Sequence, residues 1–461
     1  MSDKESDKEK DREKTDSMGT VTVPEGALWG AQTQRAINNF DISGRAMPSA
    51  FIEAVLLIKA SAAHANHELE LLSSQQAQAI QAACETARNQ HLHDQFPVDV
   101  MQTGSGTSTN MNVNEVLATL ASRELDEPVH ANDHVNMSQS SNDVIPTAIR
   151  VATVLAAEKD LLPALRGLIT AIDKKADEYG EVIKTGRTHL MDALPISMAQ
   201  VFSAWQTQLS RAGEAVQHAL VECHNLPQGG TAIGTGLNAP DGFAAAFVAR
   251  ISELTGTPFK ESSDKVADIS AQDTLVTLSA TLRTCAVVLT KIANDLRWMS
   301  SGPLAGLGEI TFPALQPGSS IMPGKVNPVI PEGVLMASAQ VMGNDHAVAL
   351  AGQSGNFELN VMLPLIGDNL LASIGLLARS ANALAEKAIA GLTVNKDHVE
   401  QALHKNPILV TALNQRIGYD QAAEIAKLAY RSGRTILEVA VEQTDIAEEE
   451  LRQLLDPRQM T

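Results

Sequence analysis

Leu275, Leu278, Leu282, Cys285, Leu289, Ile292 and Leu296 recur at alternating steps of three and four residues, and no other feature limits the fold as strongly. The spacing holds one apolar seam on a single helix face for about six turns. A strand cannot carry it, because side chains in a sheet alternate with a period of two. Three further segments are patterned the same way. They are Leu161, Leu165, Leu168 and Ile172; Trp205, Leu209, Ala212, Val216 and Leu220; and Leu370, Ile374, Leu377, Ala381, Leu384 and Ala388. Four long seams separated by Gly- and Pro-rich loops predict an all-α chain built on a bundle of long helices. With 44% hydrophobic but only 3% aromatic residues, the interior must be filled by Ala, Leu, Val and Ile, which lets helices approach closely. Seams of this length also suggest packing between subunits, so a homo-oligomer is expected.

A chain of 461 residues exceeds one ordinary core and should divide into domains. Residues 1–17 read as a disordered charged tail: Met1 to Asp16 alternate acidic and basic side chains without an apolar run, which suits neither a signal peptide nor a membrane span. Residues 18–138 form an N-terminal mixed, mainly helical domain. Between Pro97 and Asn142 it turns rich in Gly, Ser, Thr and Asn, with helical text from Asn114 to Leu125 between loops too polar to be core. Residues 139–394 carry the long helices. Residues 395–461 form a small helical domain, in which Asp420 can cap a helix that Gly433 ends and Thr444 can cap a last one. No other stretch reads as apolar enough to span a bilayer, so a cytoplasmic protein is expected.

The formal net charge of -19, with no basic stripe, argues against nucleic acid as a partner. It also repels anionic ligands at long range, so an anion site here must rely on local donors. Cys84, Cys223 and Cys285 are too few and too scattered for a disulfide framework or a metal cluster, and read as buried structural thiols.

Four polar clusters stand out. In Gln102 to Asn110, Gly104 and Gly106 permit close backbone approach to a ligand while Ser105 and Thr107 offer hydroxyls, although such loops are also common as plain linkers. Ser138 to Asp143 leads through Pro146 into a helix. Its Ser140, Ser141 and Asn142 supply donors suited to a carboxylate, or an ordinary N-cap. Gly186 to Leu190 contains Thr188 and His189; the imidazole titrates near neutrality, and the segment reads as a loop entering the next helix. Gly318 to Pro328 is the densest, with Ser319, Ser320, Lys325 and Asn327 between glycines and prolines.

That last segment, GSSIMPGKVNP, is similar to the signature of the fumarase/aspartase superfamily. Further matching text is LWGAQTQR, QTGSGT, NDHVNMSQSSND, GRTHL, GGTAIGTGLNA and FELNVMLPLI, so the likeness runs from about Met18 to Asp456. His189, and Thr103 to Thr107, resemble class II fumarase rather than aspartase. The resemblance implies a three-domain fold whose central long helices form the core of a homotetramer, with active sites shared between subunits. It implies reversible hydration of fumarate to L-malate, a tricarboxylic acid cycle step, by anti addition and elimination through a carbanion, with no cofactor and no metal.

By the same resemblance Ser319 is the base and His189 the acid, with Glu332 polarising His189 and Lys325 supplying positive potential. Ser105, Thr107, Ser140, Ser141, Asn142, Thr188, Ser320, Lys325 and Asn327 hold the small dicarboxylate. An accessory dicarboxylate site would map to His130, Asn132 and Asp133, where Ala131 replaces the family's proline. Two alternatives stand beside this: aspartate ammonia-lyase or another fumarate-releasing lyase on the same scaffold, and a non-enzymatic helical scaffold, which would carry degenerate polar loops.

Overall fold

The computed structural model of the chain describes residues 11–461. Among them are seventeen α-helices and only short two-stranded ribbons, so the all-α reading holds. Helices α1 (Ala31–Asn39), α2 (Ser49–Glu68) and α3 (Ser74–Asn89) lead to α4 (Thr107–Leu125) and α5 (Ser141–Ala156). There follow α6 (Leu162–Tyr179), α7 (Met198–Cys223), α8 (Phe243–Thr255), α9 (Lys265–Ser270) and α10 (Asp273–Met299). Two more long helices, α11 (Val329–Gly352) and α12 (Leu363–Ala383), precede the C-terminal set. That set is α13 (Lys396–His404), α14 (Asn414–Ile417), α15 (Tyr419–Ser432), α16 (Ile436–Gln443) and α17 (Glu448–Leu454). The longer ribbons pair β1 (Asp11–Asp16) with β2 (Gly19–Pro24), and β3 (Ile183–Thr188) with β4 (Met191–Ser197), both antiparallel.

Every residue of the four seams is buried, as the helical period requires. All three cysteines are buried free thiols, pushed up to about 12 by burial. Helix α10 corrects one expectation: an 18-residue window within it reaches a mean hydropathy of 1.5, long and apolar enough by composition to cross a membrane. Its seam is packed inside the protein, and a long core helix meets the same criterion without any bilayer. Helix α11 was not among the four seams. Its apolar residues are spread around its circumference, and no single face announces it.

The chain divides into two compact units of interleaved segments. One comprises the chain through Pro163, Glu214–Ala286 and Ala339–Leu377; the other Ala164–Gly213, Val287–Ser338 and Ala378–Thr461. The three consecutive regions read from sequence are a different partition, because α6, α7, α10, α11 and α12 each contribute to both units.

In the first unit α2 packs on α3, α5 and α8. Ser279 and Arg283 of α10 both donate to Asp345 of α11, at 2.7 Å each. In the second, the buried Trp205 of α7 donates Nε1 to Asp295 of α10 at 3.0 Å, which satisfies its one polar atom. The C-terminal helices close around their own core, including Leu413, Ile425, Val439 and Leu451.

Several local expectations are corrected. Residues 1–10 of the expected tail lie outside the described residues, but residues 11–16 are strand. There Arg12 donates to the Ala27 carbonyl, and Asp16 pairs with Arg35 at 2.8 Å. Helix α4 begins at Thr107, not Asn114, and its Thr109, Asn110, Asn112 and Asn114 are all buried. The polar stretch is therefore partly core. Gly433 ends α15 in the left-handed conformation as expected, but Asp420 lies in its first turn rather than capping it. Thr444 closes α16, where its hydroxyl donates to the Ala440 carbonyl, instead of opening α17.

Candidate active site

In the first unit two of the polar clusters meet. Gly106 adopts a left-handed φ of 72° at the N-terminus of α4, and a Cβ there would stand 2.8 Å from Ile145 of α5. A Cβ on Gly104 would fall 1.6 Å from the Val361 carbonyl oxygen, while the Leu363 N–H donates to the Gly104 carbonyl at 2.9 Å. Only glycine allows that clamp. Between them Ser105 and Thr107 bring their hydroxyls within 2.8 Å of each other.

Ser140 caps α5. Its Oγ accepts the Asn142 N–H while its own N–H donates to Asp143, a capping box. Asn142 spends its amide on the Ala232 carbonyl at 2.8 Å. Ser141 Oγ accepts from Asn110 Nδ2 at 3.1 Å, which ties α4 to the start of α5. Asp143 is buried and accepts the N–H groups of Gly229 and Thr231 at 3.0 and 2.9 Å, so GGTAIG is held against the same helix start. Burial pushes its carboxyl up to about 6 against these donors.

The second unit carries all four acid–base candidates. Gly318 N–H donates to the Lys325 carbonyl at 3.0 Å and Asn327 Nδ2 to the Gly318 carbonyl at 2.8 Å, closing residues 318–327 into a loop. Inside it Ser319 Oγ accepts two backbone N–H groups, from Ile321 at 3.2 Å and Met322 at 3.1 Å. Ser320 and Lys325 are exposed. Lys325, Asn327 and Glu332 line a cleft of about 590 Å³ together with Arg297 and Trp298.

His189 corrects the sequence reading of its surroundings. It does not sit in a loop entering a helix. With Leu190 it forms the exposed two-residue turn between β3 and β4, at φ 56° and 63°, the left-handed pair of a tight hairpin. Thr188, next to it, ends β3 and is exposed too. The hairpin is anchored from β3, where Lys184 and Arg187 both reach Glu309 Oε1, at 3.3 and 2.8 Å. Glu332 lies in the first turn of α11, with no ion pair to His189 of the same chain among the described residues.

At the expected accessory position, His130 caps a π-helical turn, Ala131–Val135, and its Nδ1 accepts the Asp133 N–H at 3.1 Å. A nitrogen lone pair used in this way is not free for a ligand. Asn132 and Asp133 are exposed. Sequence reasoning missed the support beneath the Ser140 to Asn142 cluster: Lys59, Asn110, Asn136 and Gln139, joined by hydrogen bonds. The only signal was the placing of Asn110 and Asn114 one helical turn apart.

Residues 19–343 match the family model described as lyase, and residues 409–461 that described as fumarase C C-terminus. The chain is 57% identical over 446 residues to the class II fumarate hydratase 2 of Pseudomonas aeruginosa, covering 97% of each. It is 56% identical over 446 residues to the class II fumarate hydratase of Xylella fastidiosa, covering 97% of this chain and 94% of that one. It superimposes on the crystal structure of class II fumarase from Schistosoma mansoni with a TM-score of 0.94 at 37% identity, covering 98% of this chain and 99% of the other. With the signature loop intact and the fold shared end to end, this chain belongs to the lyase family, in its class II fumarase branch.

Proposed function

We propose that this chain is a fumarate hydratase, a hydro-lyase that interconverts fumarate and L-malate, with the residues of each site drawn from three subunits of a homotetramer. The observation that carries the activity is identity above one half, over 97% of the chain, to two fumarate hydratases. His189 argues in the same direction, because aspartases resemble this chain but carry Gln at that place.

In the dehydration direction Ser319, as alkoxide, takes the C3 proton of malate, and the electron pair spreads into the adjacent carboxylate. The C2–O bond then breaks on the opposite face, and His189, through a water, protonates the departing hydroxide. Hydration runs the same steps backwards. The serine oxygen becomes a base only if its negative charge is stabilised, and the Ile321 and Met322 N–H groups already point at it. Lys325, in the same loop, adds a positive charge. Ser105, Thr107, Ser140, Ser141, Asn142, Thr188, Ser320, Lys325 and Asn327 hold the two carboxylates, with donors fixed before the intermediate forms.

Sharing between protomers is supported by how the roles are divided. Ser319, Lys325 and His189 occupy exposed loops, which must be covered before water can be excluded from a charged intermediate. Met336 and Leu350 of α11 are 71% and 49% exposed, with Gly343 and His346 also exposed between them. Exposed apolar side chains at both ends of a long helix suit contact with a partner helix. Fumarate formation followed in the ultraviolet, with malate and aspartate offered in parallel, tests the activity. Fumarate from malate alone is expected, whereas fumarate from aspartate alone would assign the chain to the ammonia-lyases.

A further inference from the structure

Lys59 in α2 has no exposed surface. Its Nζ donates to Asn136 Oδ1 at 2.8 Å and to Gln139 Oε1 at 3.1 Å, and no salt bridge reaches it among the described residues. A buried ammonium held only by neutral amides is costly, and the directions of the hydrogen bonds around it indicate what that cost supports.

An ammonium group can only donate. Asn136 therefore turns its carbonyl oxygen toward Lys59, the orientation its Nδ2 also keeps by donating to the Gln139 carbonyl at 3.2 Å. That same oxygen lies 3.2 Å from Asn110 and 3.2 Å from Asn114, so both must present their NH₂ groups to it. Asn110 Nδ2 also donates to Ser141 Oγ at 3.1 Å. The oxygen of Ser141 is thereby used as an acceptor, and its own proton is left to point elsewhere. Among the described residues no other hydrogen bond holds the Asn110 amide, since its Oδ1 is buried without a partner, as is that of Asn114.

We infer that Lys59 is a positioning residue that, through Asn136 and Asn110, sets the direction of the Ser141 hydroxyl so that its proton is offered to a substrate carboxylate. The inference rests on the proposed place of Ser141 at the dicarboxylate. Without the cation the Asn136 oxygen loses its one charged donor and its amide is held only by the Gln139 carbonyl and two asparagine NH₂ groups, so the grip on the Asn110 amide loosens. Asn110 then presents its oxygen, and the Ser141 proton is consumed inside the protein. Lys59 touches no substrate and acts on binding rather than on proton transfer.

The test is steady-state fumarate hydration at about pH 6, where Lys59 carries its proton, by the full-length enzyme, separating KM from kcat, for Ser141→Ala, Lys59→Met and the double variant. Ser141→Ala is expected to raise KM about tenfold, the scale of one hydrogen bond to a charged group. Lys59→Met should raise KM similarly with kcat changed less than about threefold, and the double variant should be no worse than Ser141→Ala alone. Multiplying effects in the double variant, or an unchanged KM in Lys59→Met, would overturn the inference. An unchanged KM in Ser141→Ala would instead overturn the placing of Ser141 at the substrate, and this inference with it. If Lys59→Met does not yield a folded enzyme by circular dichroism, Asn110→Ala cuts the same chain one step later. It must show the same rise in KM and the same lack of increment on Ser141→Ala; additive effects there would be equally fatal.

Discussion

The Ser319 hydroxyl oxygen accepts the backbone N–H of Met322 at 3.1 Å, and with the Ile321 N–H at 3.2 Å this forms a two-donor cradle on the proposed base. Donors in place before ionisation stabilise an alkoxide more than the hydroxyl it comes from. Ser319→Ala should therefore lower kcat by about a hundredfold to ten-thousandfold, the range for losing a general base, while KM changes little. Steady-state kinetics on the purified variant check this; a rise in KM with kcat preserved would make Ser319 a binding residue.

Gly318 controls whether that cradle closes. A Cβ at this position would stand 2.1 Å from the Lys325 carbonyl oxygen, to which the Gly318 N–H is bonded. Gly318→Ala must open the loop, so kcat falls at least about tenfold while the unfolding temperature stays near wild type, because the loop is exposed and outside the core. Gly104→Ala, whose Cβ would fall 1.6 Å from the Val361 carbonyl oxygen, should instead destabilise the fold by about 1–3 kcal/mol or more. Thermal melts of the two variants separate the cases.

His189→Asn should lower turnover at least about a hundredfold, as loss of the acid requires. His130→Asn should leave turnover nearly unchanged, since His130 Nδ1 is already engaged with the Asp133 N–H. Equal losses in both variants would overturn the assignment of the imidazole.

Lys59 has a pH signature in stability. Burial lowers its pKa from the ordinary 10.5 to about 7, so between those values the unfolded chain holds a proton that the native protein has released. Stability then rises with pH across that window, and the penalty is full below about pH 7. Asp143, pushed up to about 6, and Cys84, pushed up to about 12, face Lys59 but titrate mainly outside the window. The unfolding temperature of the wild type, relative to Lys59→Met, should climb between about pH 7 and about pH 9. A flat or falling difference would contradict the buried, shifted amine.

The seams were legible because helical periodicity is local: Leu275 to Leu296 needed only their own spacing to declare a buried face. The loop at Gly318 was legible because so many functional side chains rarely crowd one short segment by chance. Burial of polar residues was not. Asn110 lay in a stretch read as too polar for core, and only the three-dimensional placing of Lys59 and Asn136 supplies the partners that make burial of Asn110 and Asn114 tolerable. The hairpin under His189 was hidden because the turn holds no Gly, Asn or Asp, and Leu190 is not a residue that usually takes positive φ. Tertiary anchoring through Glu309, distant in sequence, holds the strand leading into that turn.

The central claim, that each site combines residues from different protomers, is tested most directly by mixing two impaired enzymes and assaying them with fumarate well below KM. His189→Asn and Ser141→Ala, each purified, are dissociated together and allowed to reassemble. Random exchange leaves both positions unaltered in up to about a quarter of shared sites, so the mixture should recover up to that share of wild-type fumarate hydration. Activity no greater than the sum of the separate variants, in tetramers proven to be mixed, would mean that each site is built from a single chain.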